Sequence, residues 1–451
     1  MRAIILSIGD ELTLGQTLES NSQWLSARLA ERSIMSIEHR TLADDRAAMA
    51  AAISECATRC ELLVITGGLG PTEDDLTREA LGDAVSPGEA LVEDAESLEQ
   101  LRNWFARRGR AMPAMNMKQA LRPHDFRSVP NLHGTAPGLA GKHRNCLIFC
   151  LPGPPREMQP MFIDQMLPDL PASPGGDVIL TGSVQEFGMG ESVAAEKLGD
   201  LMRRDSNPLV GTTVSGSIVT ARIRVQGSLA WAREQLTSVI QRVRDAWMPY
   251  TFAEGDETLS DALRQLLEER SLRLATAESC TGGWLGKSIV DRAGSSAYYL
   301  GGWVTYSNNM KVSCLDVPDD LIDRLGAVSG EVAGAMARGA MSRSGADCAL
   351  AITGIAGPDG GTKSKPVGTV YVAAALNSDR STADGRTTTH VRRFEFPGDR
   401  ETVRDRSVKA ALQLLRFALS DVANTPLLWE VPFGGSAAAT RTSAAPQAVP
   451  P

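Results

Sequence analysis

Three times in this chain an apolar run of strand length stops on a glycine-rich turn: "LLVITGGLGP" from Leu62, "RLATAESCTGG" from Arg273 and "ALAITGIAGP" from Ala349. A run that is apolar at nearly every position, rather than at alternate ones, marks a strand buried on both faces. Such strands belong to sheets covered by helices on either side. Between these runs lie segments with helical spacing, among them "NSQWLSARLAERS", "MAAAISECATRC", "LSDALRQLLEERS" and "SGEVAGAMARGAMSRSG". Strand and helix patterns alternate, so the chain is predicted to be α/β. Its 451 residues exceed what one ordinary core holds, and two or three domains are expected.

The first α/β pattern runs from "AIILSIG" through the turn "GTAPGLA", the strand "CLIFCLPG" and the helix "PREMQPMFIDQMLPDL" to "PASPGG", which gives a domain over residues 1–170. Residues 176–252 change character, with two helices set among the strands "VILTGSVQ", "LVGTTVSG" and "IVTARIRVQ". They read as a small α+β connecting module, followed by a linker, "FAEGDE". A second α/β pattern covers 256–424. The tail over 425–451 ends in "GGSAAATRTSAAPQAVPP", which cannot build a core and is expected to be disordered.

Composition narrows the class. With 43% apolar and 22% charged residues, the chain reads as a soluble globular protein. A net charge of −8 argues against a general binder of nucleic acid or of anionic membranes. "MRAIILSIG" runs straight into "DEL" without a small-residue cleavage site, so it is read as a buried first strand. No apolar run approaches the roughly 18 residues that span a bilayer, and a cytoplasmic location is expected. The seven cysteines are odd in number and scattered. Cys56/Cys60 and Cys146/Cys150 have C-x3-C spacing, which suits small buried hydrophobes with reduced thiols better than metal ligands.

Two stretches carry chemistry. In "TGGLGPTEDDLT", Gly67, Gly68 and Gly70 let backbone N–H groups approach an oxyanion, and Thr72 suits a helix opening that favours phosphate. Asp74 and Asp75 could hold a hard divalent cation against that phosphate, or simply complement the helix dipole. "GDEL", at Gly9 to Leu12, ends the first strand with two more acids, on the side where open parallel sheets bind ligands.

In "TAESCTGG", Ser279 is a candidate nucleophile that needs a base and oxyanion donors. The C-terminal half offers one histidine, His390, and no G-x-S-x-G elbow, which disfavours a Ser-His-Asp triad. "WVTYSNNMK" supplies Tyr306 and Lys311, either able to take a proton once its pKa is lowered. Cys280 is the rival nucleophile, but alternation along a strand turns it away from Ser279 and inward. The backbone N–H groups from Thr281 through Gly282 to Gly283 are candidate oxyanion donors. In "ITGIAGPDGG", Thr353 could donate to a ligand and Gly354 would let it approach. Arg400, in "FPGDRETVR", could fork onto a phosphate. Lys363 and Lys365 are expected to be solvated.

These motifs resemble the CinA (competence/damage-inducible protein A) family. "GDELTLGQTLESNSQWLSARLA", "TGGLGPTEDDLT", "GTAPGLA" and "LPGPPREM" are similar to its N-terminal domain, whose fold is that of molybdopterin-binding domains and whose associated activity is metal-dependent ADP-ribose pyrophosphatase. The resemblance implies a three-layer α/β domain using Mg²⁺ or a similar ion. Where the family often has Pro-Glu-Asn-Asn-Arg-Lys-Gln-Ala, this chain has "PAMNMKQA", which keeps Asn116 and Lys118 as substrate-binding candidates but replaces other polar positions. "TAESCTGG", "GSSAYYLGGWVTYSNNMK", "ITGIAGPDGGTKSKPVGTVYVA" and "FPGDRETVR" resemble the family's C-terminal domain, a nicotinamide-nucleotide amidohydrolase. That implies conversion of nicotinamide mononucleotide (NMN) to nicotinic acid mononucleotide and ammonia, with Ser279 as nucleophile, Lys311 and Tyr306 handling its proton, Thr353 and Arg400 near the nucleotide, and no cofactor for this step. The expected ligands are NMN and ADP-ribose, with no nucleic acid and no membrane, in a homodimer. The alternative is a non-catalytic nucleotide- or pterin-binding protein of competence or DNA-damage responses. A molybdenum-cofactor enzyme would fit the first domain alone.

Overall fold

A computed structural model describes residues 1–170, 177–377 and 387–433. The chain divides into two compact units, Met1–Thr181 with Arg224–Leu236, and Gly182–Ile223 with the residues from Thr237 onward.

In the first unit, alternation along one strand shows why the sheet is doubly covered. Ile4, Leu6 and Ile8 of Arg2–Ile8 enter one apolar cluster, while Ala3 and Ile5 enter another. The first cluster is closed by Arg46–Arg59 and Thr77–Val85 through Met49, Ile53, Cys56 and Leu81. The second is closed by Asn21–Ala30 and Pro155–Met161 through Leu25, Leu29, Met158 and Met161. The residues that fill both clusters are apolar, which is what the unbroken hydrophobic runs encode, and the buried hydroxyls of Ser7 and Thr66 come only near the strand ends. The six strands stand in the order Met35–Leu42, Arg2–Ile8, Leu62–Thr66, Cys146–Leu151, Gly138–His143, Arg127–Val129. The first four pair in parallel, and the last two are joined by antiparallel pairings. "GTAPGLA" is thus more than a turn, because Gly138 begins a strand. Cys56, Cys60, Cys146 and Cys150 are all buried and free, as small hydrophobes would be.

The middle segment forms a four-stranded sheet with Asp177–Glu186 and Ile218–Ser228 at its centre. One edge is Thr251–Glu254, so the first half of the expected linker is a strand, antiparallel to Asp177–Glu186. It pairs across a register shift between Thr251 and Ala253, and only Glu254 of its four residues is exposed. Phe187 and Phe252 enter the same core as Leu263, Leu350 and Leu414. Buried Gln413 donates to the carbonyls of Phe187 at 2.9 Å and Tyr250 at 3.2 Å.

The C-terminal sheet repeats the two-faced logic with unequal faces. Leu274, Leu350, Ile352, Val370 and Val372 point to the side covered by Leu259–Glu269 and Arg400–Leu419. Ala275, Ala277, Ala349, Ala351 and Ala373 point to the other, covered by Gly330–Ser344. Small residues on both partners let that helix sit close. Gly339 serves another close approach, to the end of the helix Asn308–Leu315: a Cβ there would lie 2.0 Å from the Leu315 carbonyl oxygen. The stripe "GEVAGAMARGAM" is consequently core. Strand order is Tyr299–Val304, Leu274–Glu278, Cys348–Gly354, Thr369–Asn377, Thr387–Glu395, Glu430–Val431. The first three pair in parallel, and each later pairing is antiparallel.

The last strand corrects the expected tail. Leu427 is buried, Glu430 takes hydrogen bonds from Arg392, and the rings of Phe433 and Tyr371 meet edge to face at 5.5 Å. "LLWEVPF" is apolar and strand-forming, so it packs; residues 434–451, for which disorder was expected, lie outside the described residues, as does the boundary at 171–176. No helix among the described residues is long and apolar enough to cross a membrane.

Candidate active site

The glycine turn of the first unit is organised by its own acid. After Leu62–Thr66 the chain turns through Gly67 and Gly68 at φ 99° and 62°, and a Cβ on Gly67 would meet the Ile8 carbonyl oxygen at 2.1 Å. Asp75 then accepts from the N–H groups of Gly70 at 2.7 Å and Thr72 at 2.9 Å, and from the Thr72 hydroxyl. Lys118 donates to the carbonyls of Thr72 and Asp75 at 2.6 and 2.8 Å. Asn116 is buried and donates to Gln119, which in turn donates to the Leu69 carbonyl. Buried Arg78 donates to the carbonyls of Leu69 and Pro137. Lys118 and Asn116, expected on a diphosphate, are engaged in holding this loop.

The expected cation ligands separate. Both Asp75 oxygens are taken up by the turn, whereas Asp74 is exposed. Asp10 and Asp44 accept from each other's N–H, and burial, with Asp10, Glu11 and Asp74 nearby, raises the Asp44 pKa. These are hard oxygen donors suited to Mg²⁺, but among the described residues no three acids, histidines or cysteines close into a metal cluster. A cation there would rely on substrate phosphate and water for most of its shell.

The second site is more complete. The parallel strands Leu274–Glu278 and Cys348–Gly354 end side by side, and the Ser279 N–H donates to the Ile352 carbonyl at 3.0 Å. The neighbouring Tyr299–Val304 delivers Tyr306 and the helix Asn308–Leu315, whose first turns carry Lys311. Lys311 is 1% exposed, and its Nζ lies 3.1 Å from Ser279 Oγ, 2.8 Å from the Thr305 carbonyl and 3.4 Å from the Tyr306 carbonyl. Burial lowers its pKa, and no carboxylate pairs with it among the described residues.

Tyr306 is well exposed, and its hydroxyl accepts from Arg400 at 3.1 Å; Arg400 also donates to the Gly357 carbonyl at 2.8 Å. Lys311, rather than Tyr306, therefore touches the nucleophile. A cleft of about 300 Å³ is lined by Ser279, Tyr306, Lys311, Thr353, Gly354 and Arg400, together with Asn308 and Asp359, which the sequence did not single out. Cys280 also borders it, but burial pushes its thiol up to about 12, so it stays protonated. The Thr353 hydroxyl donates to the Ala327 carbonyl at 2.9 Å, fixing the opposite wall. His390 lies on the fifth strand opposite Ala374, outside the lining.

Two expectations need correction. Of the expected oxyanion donors, Gly282 N–H donates to the Ser279 carbonyl and Gly283 N–H to Glu278, which leaves Thr281. Lys365 is not simply solvated: it donates to the Leu325 carbonyl at 2.8 Å, anchoring the loop that forms one wall of the cleft. Arg404, the second arginine of "FPGDRETVR", holds the Thr281 carbonyl at 2.7 Å and so braces the nucleophile turn.

Residues 4–172 match the family model described as "Probable molybdopterin binding domain", 183–253 the damage-inducible protein CinA KH domain, and 256–419 the CinA C-terminal domain. A CinA-like protein of Geobacter sulfurreducens is 40% identical over 418 residues, 92% of this chain and 98% of that one. Another, of Dictyoglomus thermophilum, is 36% identical over 420 residues, covering 93% and 99%. A solved competence damage-inducible protein A of Klebsiella pneumoniae is 37% identical and covers 36% of this chain and 95% of its own, with a TM-score of 0.33. The CinA superfamily protein of Escherichia coli is 41% identical, covers 35% and 88%, and has a TM-score of 0.32. With relatives of this identity matched along nearly their whole length, the chain belongs to the CinA family.

Proposed function

We propose that the C-terminal domain is a serine amidohydrolase that removes ammonia from the carboxamide of NMN, in pyridine-nucleotide salvage. One observation carries the reading: Lys311 Nζ sits 3.1 Å from Ser279 Oγ in a buried setting that lowers its pKa. As a neutral amine, Lys311 would give its two N–H bonds to the Thr305 and Tyr306 carbonyls and aim its lone pair at the serine proton. Ser279 Oγ attacks the carboxamide carbon as its proton passes to Lys311. The tetrahedral intermediate collapses when Lys311 returns that proton to the nitrogen, which leaves as ammonia. Water, deprotonated the same way, releases the acid from the serine ester.

Arg400 and Tyr306 stand at the cleft's rim, where the nucleotide phosphate would be met. The experiment is ammonia release from NMN with and without EDTA, beside Ser279→Ala. Activity that survives EDTA and is lost in the variant is the expected result; a wild type that releases no ammonia overturns it.

For the N-terminal domain, ADP-ribose hydrolysis with Mg²⁺ or a similar ion is the corresponding proposal, the ion held by Asp74 against the diphosphate. The commitment of Asp75 to its own turn favours a second reading for this domain, a nucleotide- or pterin-binding role in competence or damage responses. Metal-dependent release of AMP from ADP-ribose decides between them.

A further inference from the structure

We infer that Glu278 is the positioning residue of the nucleophile turn, determining which backbone amides are free to bind the oxyanion; this rests on the amidase reading above. A helix start leaves N–H groups in need of acceptors, commonly supplied by a serine or aspartate side chain at the N-cap. The helix Trp284–Val290 has Gly283 at that position, with φ 94° and no side chain to offer. The acceptors come from the strand before it. Glu278 is 2% exposed; its Oε2 accepts from Gly283 N–H and Leu285 N–H at 3.0 Å each, and its Oε1 from Gly286 N–H at 2.8 Å.

No lysine or arginine pairs with this carboxylate among the described residues, so the three amides carry the stabilisation that a buried charge requires. Gly286 leaves room for a neighbouring group: a Cβ there would lie 2.9 Å from the Tyr299 hydroxyl, though only in ordinary contact, 3.5 Å, with Glu278 Oε1.

The consequence falls on the turn between Ser279 and Gly283. Ser279 N–H is spent on the Ile352 carbonyl, Gly282 N–H on the Ser279 carbonyl, and Gly283 N–H on Glu278. Arg404 fixes the turn from the other side through the Thr281 carbonyl, 2.7 Å away. Among the described residues the N–H groups of Cys280 and Thr281 donate to no other residue's backbone; Cys280 borders the cleft, whereas Thr281 is fully buried and outside its lining. Held at both ends and with its other donors satisfied, the turn offers the Cys280 amide, on the cleft's border, to the charge that develops on the carboxamide oxygen. At φ 94° position 283 could carry a capping side chain only under strain. A carboxylate placed one residue before the nucleophile ties the helix start to Ser279 itself.

The test is Glu278→Gln, whose NH₂ group cannot accept where a carboxylate oxygen did. Two readouts are taken: steady-state ammonia release from NMN, and the rate at which a fluorophosphonate probe, displacing fluoride, labels Ser279. Because the amide acts on a developing charge, kcat is expected to fall about 10²-fold with KM within about threefold, the size of losing an oxyanion donor. Labelling should slow in proportion, while the pH at which activity rises stays that of the wild type. Retention of both rates within about threefold, or a loss confined to KM, overturns the inference, since a merely structural role lowers the melting temperature without selecting kcat.

If E278Q does not accumulate folded, E278D, with the charge kept and the reach one methylene shorter, is read by the same criteria. A wild type that labels at Ser279 but releases no ammonia from NMN overturns the substrate, and the labelling ratio still judges Glu278. A wild type that does not label overturns the nucleophile and this inference together.

Discussion

Lys311 shows how one position can decide a mechanism. Its pKa lies below the ordinary 10.5 because burial penalises the ammonium. The neutral amine, the form able to accept the serine proton, therefore predominates from a lower pH than in a free lysine. Ammonia release should rise with pH through that lowered pKa and be level by the ordinary value, as a kcat–pH profile would read. Lys311→Met keeps the bulk and removes the base, so kcat should drop roughly 10³-fold while the fold persists. Arg400→Lys should act differently. It loses the fork that holds both the Gly357 carbonyl and the Tyr306 hydroxyl, and KM for the nucleotide should rise about tenfold with kcat little changed. "WVTYSNNMK" made Lys311 and Tyr306 equal candidates. Choosing between them needed the carbonyls of Thr305 and Tyr306, which no spacing reveals.

At the scale of elements, two effects at Gly339 oppose each other. Alanine there gains about 1 kcal/mol of helix propensity but meets the Leu315 carbonyl oxygen at 2.0 Å, and backbone displacement in a packed core costs about 1–3 kcal/mol. Packing should win, and Gly339→Ala should lower both the melting temperature and kcat, because Leu315 ends the helix that carries Lys311. A raised melting temperature would mean that the helices part at little cost.

Glu186 ends the strand Asp177–Glu186 fully buried, with Oε1 unpartnered and Oε2 accepting from Met189 N–H at 3.1 Å. Burial pushes its pKa up to about 8 from an ordinary 4.5. The folded state thus holds a proton that the unfolded chain releases, and stability falls as pH rises from the ordinary value through the raised one. Glu186→Gln should leave the melting temperature little changed at pH 5 and raise it at pH 9, by on the order of a few kcal/mol of stability. Thermal scans at the two pH values check the sign.

Across the whole molecule, the glycine turn of Thr66–Thr77 and the cleft at Ser279 belong to different units. Ser279→Ala should consequently abolish ammonia release while leaving any metal-dependent AMP release from ADP-ribose within about twofold of wild type, since sites in separate units that share no partner residue are expected to act independently. Parallel assays on one preparation would show it. A fall in both would mean that the units are coupled.

The sequence by itself determined the α/β alternation, the doubly covered strands and the glycine turns at their ends, because these follow from local periodicity and from backbone conformations that few residues adopt. It also brought Ser279, Tyr306, Lys311, Thr353 and Arg400 forward as candidates, through motifs whose residue types have few other uses together. Short elements escaped it, such as the strands Thr251–Glu254 and Glu430–Val431, whose pairing is supplied by distant segments rather than by their own pattern. Hydrogen-bond partnership lay beyond it altogether. That Asp75 ties up its own turn, that Gly283 has no amide to spare and that Glu278 is the reason are facts about atoms brought together in space. Only the tertiary structure decided them, because a buried polar group takes whichever partner the packing leaves within reach.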